Sequence, residues 1–218
     1  MNWSRKRLVL IAAAAAAASF VGVGLVSAAA PSDGSVRVPG VDDVVVISQS
    51  KLDHRLEQAR ATADRVGDEF QRSALADGQV TQAEYTQAVS SLLNCLAESG
   101  FAVDNVNVDW SGRLYNYVVT GPADGEKQYL ECYDRTAGGV DMAYQTSVEN
   151  ELARLAASAG ACLLERGMDV DKVVDPTGKW QHPAVMQMGS GAVLWDRCAA
   201  EAVRSSSGPS LPSWTFED

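Results

Sequence analysis

Four cysteines constrain this chain more than any other feature, because they come in two evenly matched pairs. Cys95 is followed by Cys132 after 37 residues, and Cys162 by Cys198 after 36. Around the first cysteine of each pair the sequence repeats: "CLAESGFAV" at 95–103 against "CLLERGMDV" at 162–170. Cysteine, leucine, glutamate, glycine and valine coincide at an offset of 67, which also carries Glu84 onto Glu151 and Asp104 onto Asp171. Self-similarity at a fixed offset is the mark of an internal repeat. There is no CxxC pair and no cluster of histidines beside the cysteines, so two disulfides are expected rather than a zinc site. Four cysteines allow three pairings; Cys95–Cys132 and Cys162–Cys198 are the pairings that tie together two helices of one unit.

The physics of one unit can be read directly. Tyr85, Ala88, Val89, Leu92, Cys95 and Leu96 recur at helical spacing and form one apolar stripe. Gly100 ends that helix, since only glycine enters the left-handed conformation cheaply, and Phe101 is placed to pack back on Leu96. Gly167, Met168 and Leu163 take those parts in the second copy. "NVNVDWSGRLYNYVV" then alternates on both sides of Ser111-Gly112, predicting a two-residue turn. That register pairs Val108 with Tyr115 and Val106 with Tyr117 on a core face shared with Trp110, and Asn107 with Asn116 on the wet face. The helix "EKQYLECYDR" covers the apolar side, with Tyr129 and Tyr133 flanking Cys132. In the second copy "DPTGK" is expected to make the turn, Pro183 to mark an edge strand, and "GAVLWDRCAAEAV" to close the unit with Cys198.

The expected fold class is therefore α+β: tandem helix–β-hairpin–helix units, each with an intra-unit disulfide, preceded by an N-terminal apolar export helix. The divisions are 1–30, signal peptide or membrane anchor; 31–49, linker; 50–145, an upstream helix plus the first unit; 146–204, the second unit; and 205–218, a flexible tail. The upstream helix repeats Leu52, Leu56, Ala59, Ala63, Val66 and Phe70, a narrow seam expected to pack on its own domain rather than to dimerise.

The N-terminal expectation rests on Arg5, Lys6 and Arg7, followed by an apolar stretch from Leu8 to Val26 and the small residues Ser27-Ala28-Ala29. A basic flank, an apolar span and small residues make an export signal, whether cleaved or retained as an anchor. Beyond residue 30 the chain holds 15 basic against 28 acidic residues. Phosphate recognition needs clustered Lys and Arg, so nucleic acid is excluded as a partner, and the membrane is met only through an uncleaved N-terminal segment.

"ADGQVTQAEYTQAV" at 76–89 poses the sharpest question about chemistry. As a calcium loop with Gly78 at its sixth position, it places Ser73 and Leu75 where two oxygen ligands belong, and leucine supplies none. As a helix start it is complete: Asp77-Gly78 turns the chain, and Thr81 with Glu84 forms a capping box. We read a cap, not a metal. This segment, followed by "CLAESGF", resembles a recurring stretch in uncharacterised secreted or membrane-anchored proteins of actinobacteria. The resemblance covers roughly residues 70–145; it implies export and transfers no activity.

No catalytic residue, metal ligand or cofactor site is assigned. His54 reads as a solvated helix residue and His182 stands beside no nucleophile, while "GSG" at 189–191 lacks the flanks of a nucleophile elbow. Glu98 and Glu165 read as surface charges. The expected function is that of an exported cell-envelope or secreted protein, extracellular or on the outer face of the plasma membrane, that binds a macromolecule of the envelope without catalysis. The alternatives are an envelope hydrolase using carboxylates and a structural spacer.

Overall fold

In the computed structural model the described residues are 8–10, 40–41, 47–175, 179–181, 183–186 and 192–206. The order is β1 (Leu8–Leu10), α1 (Gln49–Val66), α2 (Glu69–Ala74), α3 (Gln82–Glu98), β2 (Ala102–Val108), β3 (Tyr115–Gly121), α4 (Glu126–Thr136), α5 (Gly138–Glu165), α6 (Pro183–Met186) and α7 (Ala192–Ser205). It is a mixed fold of helices and a small antiparallel sheet, closed by two disulfides. Of the expected export helix only 8–10 are described, and they run as a short strand along the free edge of β3; the remainder lies outside the described residues. No helix among the described residues is long and apolar enough to cross a membrane.

The stripe on α3 is buried as its spacing requires, with Tyr85, Leu92 and Leu96 at 1% exposure or less. The helices that carry Cys95 and Cys162 end in the same way. Gly100 N–H donates to Ala97 O and Phe101 N–H to Leu96 O, each at 3.0 Å. Gly167 and Met168 repeat this on Leu164 and Leu163, also at 3.0 Å. These are two Schellman motifs, and both need the glycine: φ is +82° at Gly100 and +87° at Gly167.

The hairpin departs from its expected form in two ways. Val108 faces Tyr115 and Asn107 faces Asn116, but beyond them the register slips by one, so that Asp104 faces Val118 and Val103 faces Val119. Asn105, at φ +54°, is the extra residue of a β-bulge. The bulge has a packing reason. Val103 and Val106 are three apart, so without an inserted residue they would point to opposite faces; with it, both pack on the core. The turn is also longer than Ser111-Gly112, because Asp109 N–H already pairs with Leu114 O at 2.8 Å and leaves a four-residue loop.

The second unit differs more. Where a second hairpin was expected there is a 3-10 turn (Val170–Lys172) and one bridge between Val174 and Trp180. Pro183 starts α6 instead of edging a strand, consistent with its fixed φ and missing N–H. Its partner helix α5 is 28 residues long, and the expected division between 145 and 146 falls inside it.

α5 is the axis on which the rest is hung, packing against α1, α3 and α7. The seam of α1 lies on it. A Cβ at Gly139 would stand 2.8 Å from the backbone oxygen of Ala59, so glycine is what lets these helices approach. Arg55 pairs with Glu149 at 2.9 Å, and the Asn150 amide bonds both Ile47 N and O at 3.0 Å, fixing where the chain enters α1. Fully buried Gln71 joins the ends of two helices. Its Nε2 donates to Asp134 O and Arg135 O near the end of α4, and its Oε1 accepts from Gly139 N at the start of α5. Helix ends buried without partners are costly, and one side chain settles three of these groups.

Candidate functional site

The hairpin loop is organised by one carboxylate. Asp109 accepts from Ser111 Oγ at 2.7 and 2.8 Å, and its Oδ1 also takes Arg113 N and Leu114 N at 3.1 Å. Holding the loop this way sends its two large side chains in separate directions. Trp110 leaves the sheet and meets Trp195 of α7 edge-on, 5.3 Å between centroids. It was expected on the core face of the hairpin; it lies instead at the margin of the second apolar cluster. The Arg113 side chain turns inward with 3% exposure, its Nε and Nη2 at 3.0 and 2.7 Å from Glu151 Oε1. A charge so enclosed must be paired to be tolerated, and Glu151 on α5 pairs it. The loop thus ties the hairpin to α5 and, through Ser206 Oγ at 3.4 Å from Arg113, to the end of α7.

Behind the hairpin all six tyrosines of the chain share one core. Tyr85 and Tyr144 stack with 4.1 Å between ring centroids, and Tyr129 and Tyr133 with 6.5 Å. Asp141 lies among them, accepting from Tyr133 OH at 2.6 Å and Gln145 Nε2 at 2.8 Å. Burial raises its pKa above the usual carboxylate range, against the lowering effect of those two hydrogen bonds. Burial first pushes Tyr85, Tyr117 and Tyr133 well above the ordinary phenol range; the charge of Asp141 comes next at Tyr85 and Tyr133, and Tyr129 at Tyr117. Tyr144 is pushed up to about 12, chiefly by burial, with Arg113 opposing. These phenols stay protonated at neutral pH, so they serve as donors and packing rather than as nucleophiles.

On the surface, a shallow hollow of about 150 Å³ is lined by Arg60, Ala63, Asp64, Arg72, Leu75 and Ala76. Its cations have other duties: Arg60 bonds Leu75 O and Ala76 O, and Arg72 bonds Gly67 O. The solvent face of the sheet carries Asp104, Asn107, Asn116, Val118 and Thr120. Among the described residues the large apolar side chains left exposed are Leu130 and Val193, on different helices.

Thr81 and Glu84 form the expected cap. Glu84 N–H donates to Thr81 Oγ1 at 3.3 Å, and Glu84 Oε2 takes Thr81 N and Oγ1 at 2.7 Å each. That carboxylate is occupied, and Leu75 is buried at 1%. No three His, Cys, Asp or Glu side chains among the described residues converge to hold a metal. Among the described residues His54 meets the Gln58 amide of its own helix, at 3.1 Å; His182 and the segment 189–191 lie outside the described residues. Glu98 and Glu165 are exposed at helix ends.

The disulfides join Cys95 to Cys132, linking α3 and α4, and Cys162 to Cys198, linking α5 and α7. Such bonds persist in oxidising compartments outside the cytoplasm. Sequence reasoning missed the groups around them. Arg135 Nη2 donates to Cys95 Sγ at 3.0 Å and Arg166 Nε to Cys162 Sγ at 3.1 Å. Helical spacing was the available signal, since Arg166 follows Cys162 by one turn. Nothing comparable pointed from Arg113 to Glu151 or singled out Asp141. No protein-family model, curated protein or solved structure matches the chain.

Proposed function

We propose that this is an exported protein, secreted or held on the outer face of the plasma membrane, that acts as a non-enzymatic interaction module for a macromolecule of the cell envelope. In this reading the chain arose by duplication of a disulfide-bridged helical unit, and the resemblance to actinobacterial exported proteins belongs to the same account. The observation that carries it is the pair of disulfides, each closing one cysteine-bearing pair of helices. The shared Schellman ends, the shared cysteine spacing and the basic-then-apolar N-terminus support it. The acidic surface favours solubility outside the cell and disfavours phosphate backbones.

Fractionation of producing cells, with free thiols blocked before lysis, tests the location. All four cysteines should be protected from alkylation in protein recovered from the envelope or medium; reduced cysteines in a cytosolic protein would overturn the reading. Binding is tested by cross-linked capture from envelope extracts with the native protein and with an Asn107→Arg/Asn116→Arg variant. Capture that the variant loses supports a module acting through the solvent face of the sheet. Turnover of wall polymer by the purified protein would establish the hydrolase instead.

A further inference from the structure

The two disulfides carry the same arginine contact but stand in different surroundings. Cys95 and Cys132 are 5% and 3% exposed, sealed inside the tyrosine-rich core. Cys198 is also fully buried, but Cys162 sits half-buried at the margin of the second cluster, with exposed Glu165, Arg166 and Glu201 near it. Of the four cysteines, Cys162 is the most exposed to solvent. Its electrostatics are unusual too. Arg166 Nε donates to it at 3.1 Å, while Arg166 Nη2 is anchored by Glu201 at 2.7 Å, and the same Glu201 oxygen lies 4.0 Å from the sulfur.

We propose that Cys162–Cys198 is a thiol-exchange site entered at Cys162, and that Cys95–Cys132 is the permanent clasp. The partner is a thiol, small or protein-borne. Its thiolate attacks Cys162 Sγ and forms a new S–S bond there. The Cys162–Cys198 bond breaks, and its electron pair leaves on Cys198, which takes a proton. A second thiol then attacks the mixed disulfide; the two partner thiols leave as their own disulfide, and both cysteines remain reduced. Negative charge spreads over all three sulfurs as the bond exchanges. The Arg166 N–H stabilises that charge, whereas Glu201 repels the incoming anion. Exchange frees α7 from its covalent tie to α5, so the helix is then held by packing, the Arg166–Glu201 ion pair and the Arg113–Ser206 contact.

The test uses the full oxidised protein under native conditions. Reduced glutathione is added in graded amounts, the reaction is quenched with an alkylating agent, and peptides are mapped by mass. Cys162 and Cys198 should become reactive roughly tenfold faster than Cys95 and Cys132, given the dependence of exchange on access. The first adduct should be glutathione on Cys162. Arg166→Gln should slow the exchange several-fold and Glu201→Gln should accelerate it, each in a variant whose near-ultraviolet circular dichroism matches the parent. Equal rates for the two bridges, or a first adduct on Cys198, would overturn the proposal. So would acceleration by both substitutions, because that is the mark of a merely loosened helix pair. The native protein alone decides the order of the bridges should either variant fail to fold.

Discussion

The region closed by Cys95–Cys132 and the region closed by Cys162–Cys198 begin alike and then diverge. Both have a cysteine near the end of a helix, a Schellman glycine one turn later and a second cysteine on a later helix. Between those points the first region builds a hairpin of two seven-residue strands, and the second makes one bridge and a short helix. Positions that match at the offset of 67 take unlike roles. Glu84 caps the start of α3, whereas Glu151 sits in the middle of α5 and pairs with Arg113. Among the described residues the second region has one bridge and no sheet face to cover its helices, and Trp110 reaches across from the first region's loop to pack on Trp195. Matched ends do not impose a matched interior.

That comparison can be broken most sharply at the tryptophans. Trp195→Ala removes a fully buried side chain and should lower unfolding stability by about 3–5 kcal/mol. Trp110→Ala, half-buried, should cost about half as much, roughly 1–2 kcal/mol by area. Urea midpoints measure both, and a neutral Trp110→Ala would show that the loop does not support the second region.

Removing either bridge by a double Cys→Ala substitution should cost roughly 4 kcal/mol in the chain-entropy model. The two losses should be nearly equal, because the separations are 37 and 36 residues. Any inequality in the urea midpoints then measures the difference in packing around the sulfurs.

Thr81→Ala should cost ~1 kcal/mol by deleting the cap of α3. The loss belongs to the first region alone, since α5 runs unbroken through the corresponding stretch. Thermal melts of this variant beside Val148→Ala, at the equivalent position, compare a lost cap with a trimmed apolar contact.

Asp141 gives an effect that is read as a dependence on pH rather than as a single loss. Its folded pKa is raised by burial, so its contribution to stability is fully present below the unfolded value of about 4. That contribution is lost as pH rises through the folded value. Asp141→Asn should therefore gain on the native protein as pH increases across that window. Urea midpoints at a series of pH values for both proteins check the sign, and a gain in the opposite direction would mean that Asp141 is held as a charge.

Much of the first region was legible because its signals are local. The buried face of α3 follows from helical spacing, the cap from Thr81 and Glu84, and the helix ends from Gly100 and Gly167. The hairpin was legible from alternation as far as Asn107. The bulge was not, because only the need to bury both Val103 and Val106 reveals that a residue must be inserted. In the second region the expected turn is there, with Val174 facing Trp180 across residues 175–179, but the pairing stops at one bridge and Pro183 begins a helix instead of edging a strand. Of the candidate site, the sequence supplied the cysteines but not Arg135 or the carboxyl enclosed by tyrosines, since those groups meet across helices, whereas Arg166 stood one turn after Cys162 and was legible from spacing.

By itself, the sequence determined what short range can determine: where helices start and stop, which face of each is apolar, and which cysteine spacings recur. Such choices depend on backbone conformation and side chains within a turn or two of each other. The tertiary structure alone decided that Gln71 joins α4 to α5, that Trp110 belongs to the other region's cluster and that Arg113 is neutralised by Glu151. Each of those contacts spans dozens of residues, and each is selected by the burial of polar or aromatic groups once the helices have come together.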